Sequence, residues 1–226
     1  MLTLVAIAGA LFVYTYIGYP VLLGLFASAR RRPRVLAEPP VEWPTISIVL
    51  PAYNEAETIA ATLEQVLAID YPPQRRQILV VSDASSDGTD DVVARFADRG
   101  VELLRLPQRR GKTAAGNAAR SHLRGEVVVN TDASVRIDRS AVKQLVAAFA
   151  DPTVGVASGR DSSVSNIDDR TNPGEHAYVG YDMWVRDLET MLSGIVGASA
   201  CLYAIRPELH MAAMPDGLSR DFGSAL

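Results

Sequence analysis

Ile46-Ser47-Ile48-Val49-Leu50-Pro51-Ala52-Tyr53-Asn54-Glu55 decides the fold: a short run rich in β-branched and large apolar residues, read as a buried strand, ends in a Pro-bearing polar turn. Three later segments repeat the arrangement. Ser82-Asp83 through Thr89, Gly111-Lys112 through Asn117, and Thr131-Asp132-Ala133-Ser134 each stand where a predicted strand runs out. In an open parallel sheet the carboxyl ends of the strands line one crevice. Acids and small residues repeated there describe a single ligand site.

Working outward, apolar residues at Ile59, Leu63, Val66 and Leu67 predict a helix over 55–68, followed by a strand at 78–81. A helix over 89–99, a strand at 101–104, a helix over 112–123, a strand at 127–129, a helix over 140–150 and a strand at 154–157 continue the alternation. Strand and helix in turn call for a parallel sheet covered on both faces. After Gly159 the rhythm breaks. A polar excursion leads to a helix over 178–192 whose Tyr178, Tyr181, Val185, Leu188 and Leu192 form one apolar stripe, expected to be core.

The chain's beginning differs in kind. No charged residue occurs from Leu2 to Ala29, and about 20 apolar residues suffice to cross a bilayer as a helix. Ala27-Ser28-Ala29 resembles a signal-peptide cleavage site, but no Lys or Arg precedes the apolar run, which also exceeds a typical signal core. A transmembrane helix over 2–29 is the expectation. Arg30, Arg31, Arg32 and Arg34 follow it, and retention of positive charge places the rest of the chain in the cytoplasm, as a single-pass protein of the cell membrane. Residues 30–44, with Pro33, Pro39, Pro40 and Pro44, read as a stiff basic tether. Residues 45–226 suit one α/β domain.

The first 44 residues hold four of the 22 Lys and Arg and two of the 26 Asp and Glu, leaving the domain six acids in excess. A nucleic-acid partner is therefore not expected, since a polyanion needs a basic surface. Cys201 is the chain's one cysteine, so neither an intrachain disulfide nor a cysteine metal cluster can form. Asp83-Ala84-Ser85-Ser86-Asp87-Gly88 imitates half an EF-hand loop, but Ala94 stands where the bidentate Glu belongs. Gly111-Lys112-Thr113 imitates the end of a phosphate-binding loop, but Leu106 replaces its first glycine. The dinucleotide pattern G-x-G-x-x-G does not follow the first strand.

Taken in order, Pro51-Ala52-Tyr53-Asn54-Glu55, Asp83, Gly111-Lys112 to Asn117 and Asp132-Ala133-Ser134 resemble the nucleotide-sugar domain of family 2 glycosyltransferases, from about Ile46 to the end of the chain. The resemblance implies a GT-A nucleotide-diphospho-sugar transferase fold, Rossmann-like, with a mostly parallel sheet and helices on both faces, behind one N-terminal transmembrane helix. It assigns Ala52, Tyr53 and Glu55 to the uridine of a UDP-sugar donor and Asp83 to the uracil, where a carboxylate suits an imide N–H. Lys112, at a helix start, would meet the diphosphate. Asp87, Gly88 and Thr89 would build the turn and cap the next helix.

Asp132 occupies the place of the first acid of the family's Asp-x-Asp metal motif, with Ser134 in place of the second. Mg²⁺ or Mn²⁺ would thus be held by Asp132, Ser134 and substrate phosphates. Gly197 to Arg206 resembles the small-residue strand that floors the sugar pocket, and Tyr181, Asp182 and Trp184 resemble an aromatic-acid segment of synthases, read here as packing. Asp221, in Ser219-Arg220-Asp221-Phe222, matches the general base that deprotonates the acceptor, with Arg220 where a second acid is common. The resemblance implies an inverting transferase of a membrane polysaccharide synthase, acting on a glycan or lipid-linked acceptor. No Gln-x-x-Arg-Trp segment follows Asp221, so the domain is expected to be incomplete at its C-terminus. Transfer to a polyprenyl phosphate and a non-catalytic nucleotide-sugar-binding subunit remain alternatives.

Overall fold

The computed structural model describes residues 1–29, 40, 42–160, 173–192, 198–199, 201–210 and 214–215. In chain order its main elements are α1 (Leu2–Ala29), β1 (Ile46–Ala52), α2 (Ile59–Leu67), β2 (Arg76–Ser82), α3 (Thr89–Ala94), β3 (Val101–Arg105), α4 (Lys112–Ala119), β4 (Val127–Thr131), α5 (Ala141–Ala147), β5 (Val156–Ser158), α6 (Pro173–Leu192), β6 (Leu202–Ile205) and α7 (Pro207–His210). They group into two packing units. One holds Met1–Val35 with Arg160–Val196, the other Leu36–Gly159 with Gly197–Leu226.

The second unit is built on a six-stranded sheet of order β3-β2-β1-β4-β6-β5. β1 sits centrally, parallel to β2 and β4, with Ile46 opposite Arg76 on one side and Val127 on the other. Period-two alternation then sorts the side chains. Ile46, Ile48, Leu50, Ile78, Val80, Val127 and Val129 join the cluster completed by Ile59, Leu63 and Val66 of α2 and Val142, Leu145 and Val146 of α5. Each such large side chain, fully buried, contributes about 1.5–3 kcal/mol. α4 packs on β1 and β2, and its buried face carries only small residues, Ala114, Ala115 and Ala119 among them. Small side chains there let the helix lie close, which brings Lys112 to the sheet's carboxyl edge.

Two differences from the sequence expectation have clear causes. β6 runs antiparallel to both β4 and β5, so the sheet is mixed although mostly parallel. A parallel neighbour requires a crossover that packs on the sheet, and α6, the helix between β5 and β6, belongs to the other packing unit. Helix α2 starts at Ile59, four residues later than the apolar period suggests. The carbonyl of Glu55 accepts the N–H groups of Thr58 and Ile59, making 55–58 a turn held to the site rather than a first helical turn.

The first unit contains α1 and α6. α1 is the one described helix long and apolar enough to cross a membrane. Its regular winding gives way to a π-helical stretch at Tyr14–Gly18, where the Tyr19 N–H donates to the Tyr14 carbonyl. Pro20 accounts for the disturbance: it has no N–H to offer the carbonyl of Tyr16, four residues back. The Tyr181 hydroxyl of α6 donates to that carbonyl at 2.9 Å, and the Tyr19 hydroxyl donates to Glu189 at 2.7 Å. The apolar stripe of α6 is thus only partly core, since Tyr178 stays exposed.

Candidate functional site

At the carboxyl edge of β1, β2 and β4 lies a cleft of about 240 Å³ lined by Pro51, Ala52, Tyr53, Glu55, Asp83, Lys112, Ala115, Asp132, Ala133 and Ser134. Seven of the eight residues singled out from sequence stand in it: Ala52, Tyr53, Glu55, Asp83, Lys112, Asp132 and Ser134. The eighth, Asp221, lies outside the described residues, as do Arg220 and Gly197. Among the described residues of the small-residue strand, none lines this cleft.

Two turns are stapled across the cleft rim. Asp87 accepts the Ala56 N–H on one oxygen at 3.0 Å and the Thr89 N–H and hydroxyl on the other at 3.0 and 2.5 Å. Thr89 in turn accepts the Glu55 N–H at 2.8 Å, and the Asn54 side chain accepts the Ser86 N–H at 2.9 Å. Asn54 and Ala84 both sit at positive φ, 53° and 59°, a costly backbone that this network of bonds holds in place. The helix-capping role expected of Asp87 is therefore wider: it fastens the β1 turn to the β2 turn.

The Thr89 hydroxyl, with the Ala56 N–H behind it, holds the Asp87 carboxyl below the ordinary aspartate range. A depressed folded value means that the stabilisation is present above the unfolded value, about 3.9, and is lost as pH falls through the folded one. Protection of the Ala56 amide against hydrogen exchange should accordingly persist on acidification through the ordinary aspartate range and collapse below it. In Asp87→Asn that acid step should vanish. A step of unchanged position in the variant would show another group fastening the turn.

Asp83 is only 4% exposed, and its two oxygens accept the N–H groups of Arg110 and Gly111 at 2.8 and 2.7 Å. It thereby fixes the loop that delivers Lys112, whose helix starts after Gly111 at φ 93°. Lys112 Nζ stands 2.6 Å from Asp132 Oδ1, with both side chains partly exposed to the cleft. Thr62 of α2 donates to the Ala133 carbonyl and so ties down the turn that presents Asp132 and Ser134. Glu55 accepts the Thr58 hydroxyl at 2.6 Å. Arg109 lies with its guanidinium 4.0 Å from the Tyr53 ring centroid. Its position three residues before Lys112 was the available signal.

The donor set fits a divalent cation of the hard type. Among the described residues no group of three or more His, Cys, Asp or Glu could form an all-protein cage. Of the carboxylates bordering the cleft, Asp83 is taken up by two backbone N–H groups and Glu55 accepts the Thr58 hydroxyl, which leaves Asp132, with the Ser134 hydroxyl two residues on, beside Lys112. That is the oxygen-only, protein-poor set of a cation that shares its coordination with phosphates and water.

The fold is of the GT-A, nucleotide-diphospho-sugar transferase type. The model of glycosyl transferase family 2 matches residues 47–205, and the chain belongs to that family. It is 30% identical to the mannosyltransferase PcManGT of Pyrobaculum calidifontis, a structure in complex with GDP-Man and Mn²⁺, with a TM-score of 0.75 over 96% of this chain and 61% of that one. Poly-beta-1,6-N-acetyl-D-glucosamine synthase of Staphylococcus epidermidis is 33% identical over 116 residues, 50% of this chain and 28% of the synthase. Beta-monoglucosyldiacylglycerol synthase of Synechocystis is 24% identical over 161 residues, 69% of this chain and 33% of that enzyme. The chain thus spans about a third or less of the length of these curated relatives.

Proposed function

We propose that this glycosyltransferase moves a sugar from a UDP-sugar to a glycan or lipid-linked acceptor with inversion, at a cell membrane that α1 spans with the catalytic unit on the cytoplasmic side. The observation that carries the reading is the convergence of Tyr53, Asp83 and Asp132, from the ends of β1, β2 and β4, and of Lys112, from the start of α4, on one cleft. Tyr53 offers an aromatic face to the base. Both Asp83 oxygens already accept backbone N–H groups, so the carboxylate suits a base edge with one imide N–H better than an edge presenting two donors together. Asp132 and Ser134 would hold Mg²⁺ or Mn²⁺, which would supply positive charge where the diphosphate departs. Lys112 adds a second positive charge at the same place. Asp221 accepts the proton of the acceptor hydroxyl as that oxygen attacks the anomeric carbon, with UDP leaving from the opposite face.

A guanine nucleotide is the second reading, favoured by the GDP-Man in the mannosyltransferase that this chain resembles. Calorimetric titration of UDP and of GDP into the full chain in detergent, with Mn²⁺, separates the two. UDP is expected to bind at least about tenfold tighter, about 1.4 kcal/mol. Equal affinity or a preference for GDP would overturn the uridine assignment, and binding of neither would overturn the donor site.

A further inference from the structure

We infer that Thr62, on the buried face of α2, is a positioning residue for cation binding: its hydroxyl holds the turn after β4 so that Asp132 and Ser134 are presented to the cleft together, an inference that rests on those two residues as the metal holders. Thr62 breaks an otherwise apolar face. Ile59, Leu63 and Val66 beside it are fully buried, and Thr62 itself is only 4% exposed. A valine would fill the same space, whereas a hydroxyl taken out of water has to find a partner.

That partner is the Ala133 carbonyl, 71 positions along the chain. The Thr62 hydroxyl also lies 3.4 Å from the Thr58 carbonyl, the bond by which a threonine serves its own helix. One hydroxyl has one proton to give, and the Ala133 oxygen is the nearer. The bond therefore joins α2 to the turn.

Within the turn, burial alternates. Thr131 and Ala133 are buried, while the Asp132 side chain is partly exposed and Ser134 is exposed, both lining the cleft. Three bonds hold the segment: the Thr131 hydroxyl donates to the Cys201 carbonyl at 2.9 Å, the Val135 N–H donates to the Asp132 carbonyl at 3.4 Å, and Thr62 donates to Ala133. Of the three, the Thr62 bond acts on the peptide that joins Ala133 to Ser134. Its anchor is rigid, because α2 belongs to the main core. A hydroxyl offers a cation less charge than a carboxylate does, so a pair that includes Ser134 depends the more on being held in place.

Calorimetry on the full chain in detergent, with Mn²⁺ and UDP as probes, tests this. In Thr62→Val the Mn²⁺ concentration giving half the stimulation of UDP binding should rise about tenfold or more, the usual effect of removing a group that holds a metal ligand. UDP affinity without metal should stay native. Thr62→Ser loses a methyl group but keeps the hydroxyl, so its Mn²⁺ response should stay native despite lowered stability, which decides the matter even where Thr62→Val folds poorly. A native response in Thr62→Val, a lost response in Thr62→Ser, or equal weakening with and without metal would overturn the inference alone. Stimulation by Mn²⁺ that persists in Asp132→Ala would instead overturn the metal reading on which it rests.

Discussion

Asp132→Ala should abolish the stimulation of UDP binding by Mn²⁺ and lower sugar transfer by about 10³-fold, about 4 kcal/mol of transition-state stabilisation. The same variant should bind UDP more tightly than the native protein when metal is absent. That second expectation comes from the pairing of Lys112 Nζ with Asp132 Oδ1 at 2.6 Å. A half-exposed pair of this sort contributes at most about 1 kcal/mol, so it is easily exchanged. Removing the carboxylate takes away one group that competes with the diphosphate for the ammonium. Lys112→Ala should show the opposite pattern, with metal-free binding weakened. Calorimetry with and without Mn²⁺ on the three proteins reads both arms. If Asp132→Ala kept its metal stimulation, the cation would be held elsewhere, and the assignment of Asp132 and Ser134 would fall.

Much of this site was legible because parallel strands buried on both faces read as nearly continuous apolar runs. Polar residues within three positions of the end of each run then mark the carboxyl edge, which is how Tyr53, Asp83 and Asp132 could be found. What stayed hidden depends on partners far apart in the chain. The bond from Tyr181 to Tyr16 spans 165 residues, and no local period reports it. The wider role of Asp87 and the late start of α2 have one cause, the stapling of two turns whose residues are about 30 positions apart. The reversal of β6 was equally hidden, since an apolar run carries no sign of direction. Asp221 is proposed from the family pattern alone.

Gly125→Ala should cost about 3 kcal/mol or more of stability, for a reason unrelated to the cleft. A methyl group there would stand closer than 3.0 Å to Ser47 N, Ile46 C and Ile46 Cα, all of them backbone atoms of the central strand. Backbone cannot turn aside as a flexible side chain can. The chain is also held at this point: the hydroxyl of fully buried Ser47 accepts the N–H groups of Arg124 and Gly125 at 3.0 and 2.8 Å and donates to Gln77 at 2.7 Å. Relief of the clash would have to break these bonds or shift the register that sets Ile46 opposite Val127. Chemical denaturation should therefore show a lowered midpoint. Because Gly125 adjoins the amino ends of β1 and β4, whereas the cleft lies at their carboxyl ends, the molecules that remain folded should bind UDP with native affinity. Loss of affinity in step with loss of stability would mean that the two ends of the sheet are coupled. Unchanged stability would mean that the strands part more easily than their bonding indicates.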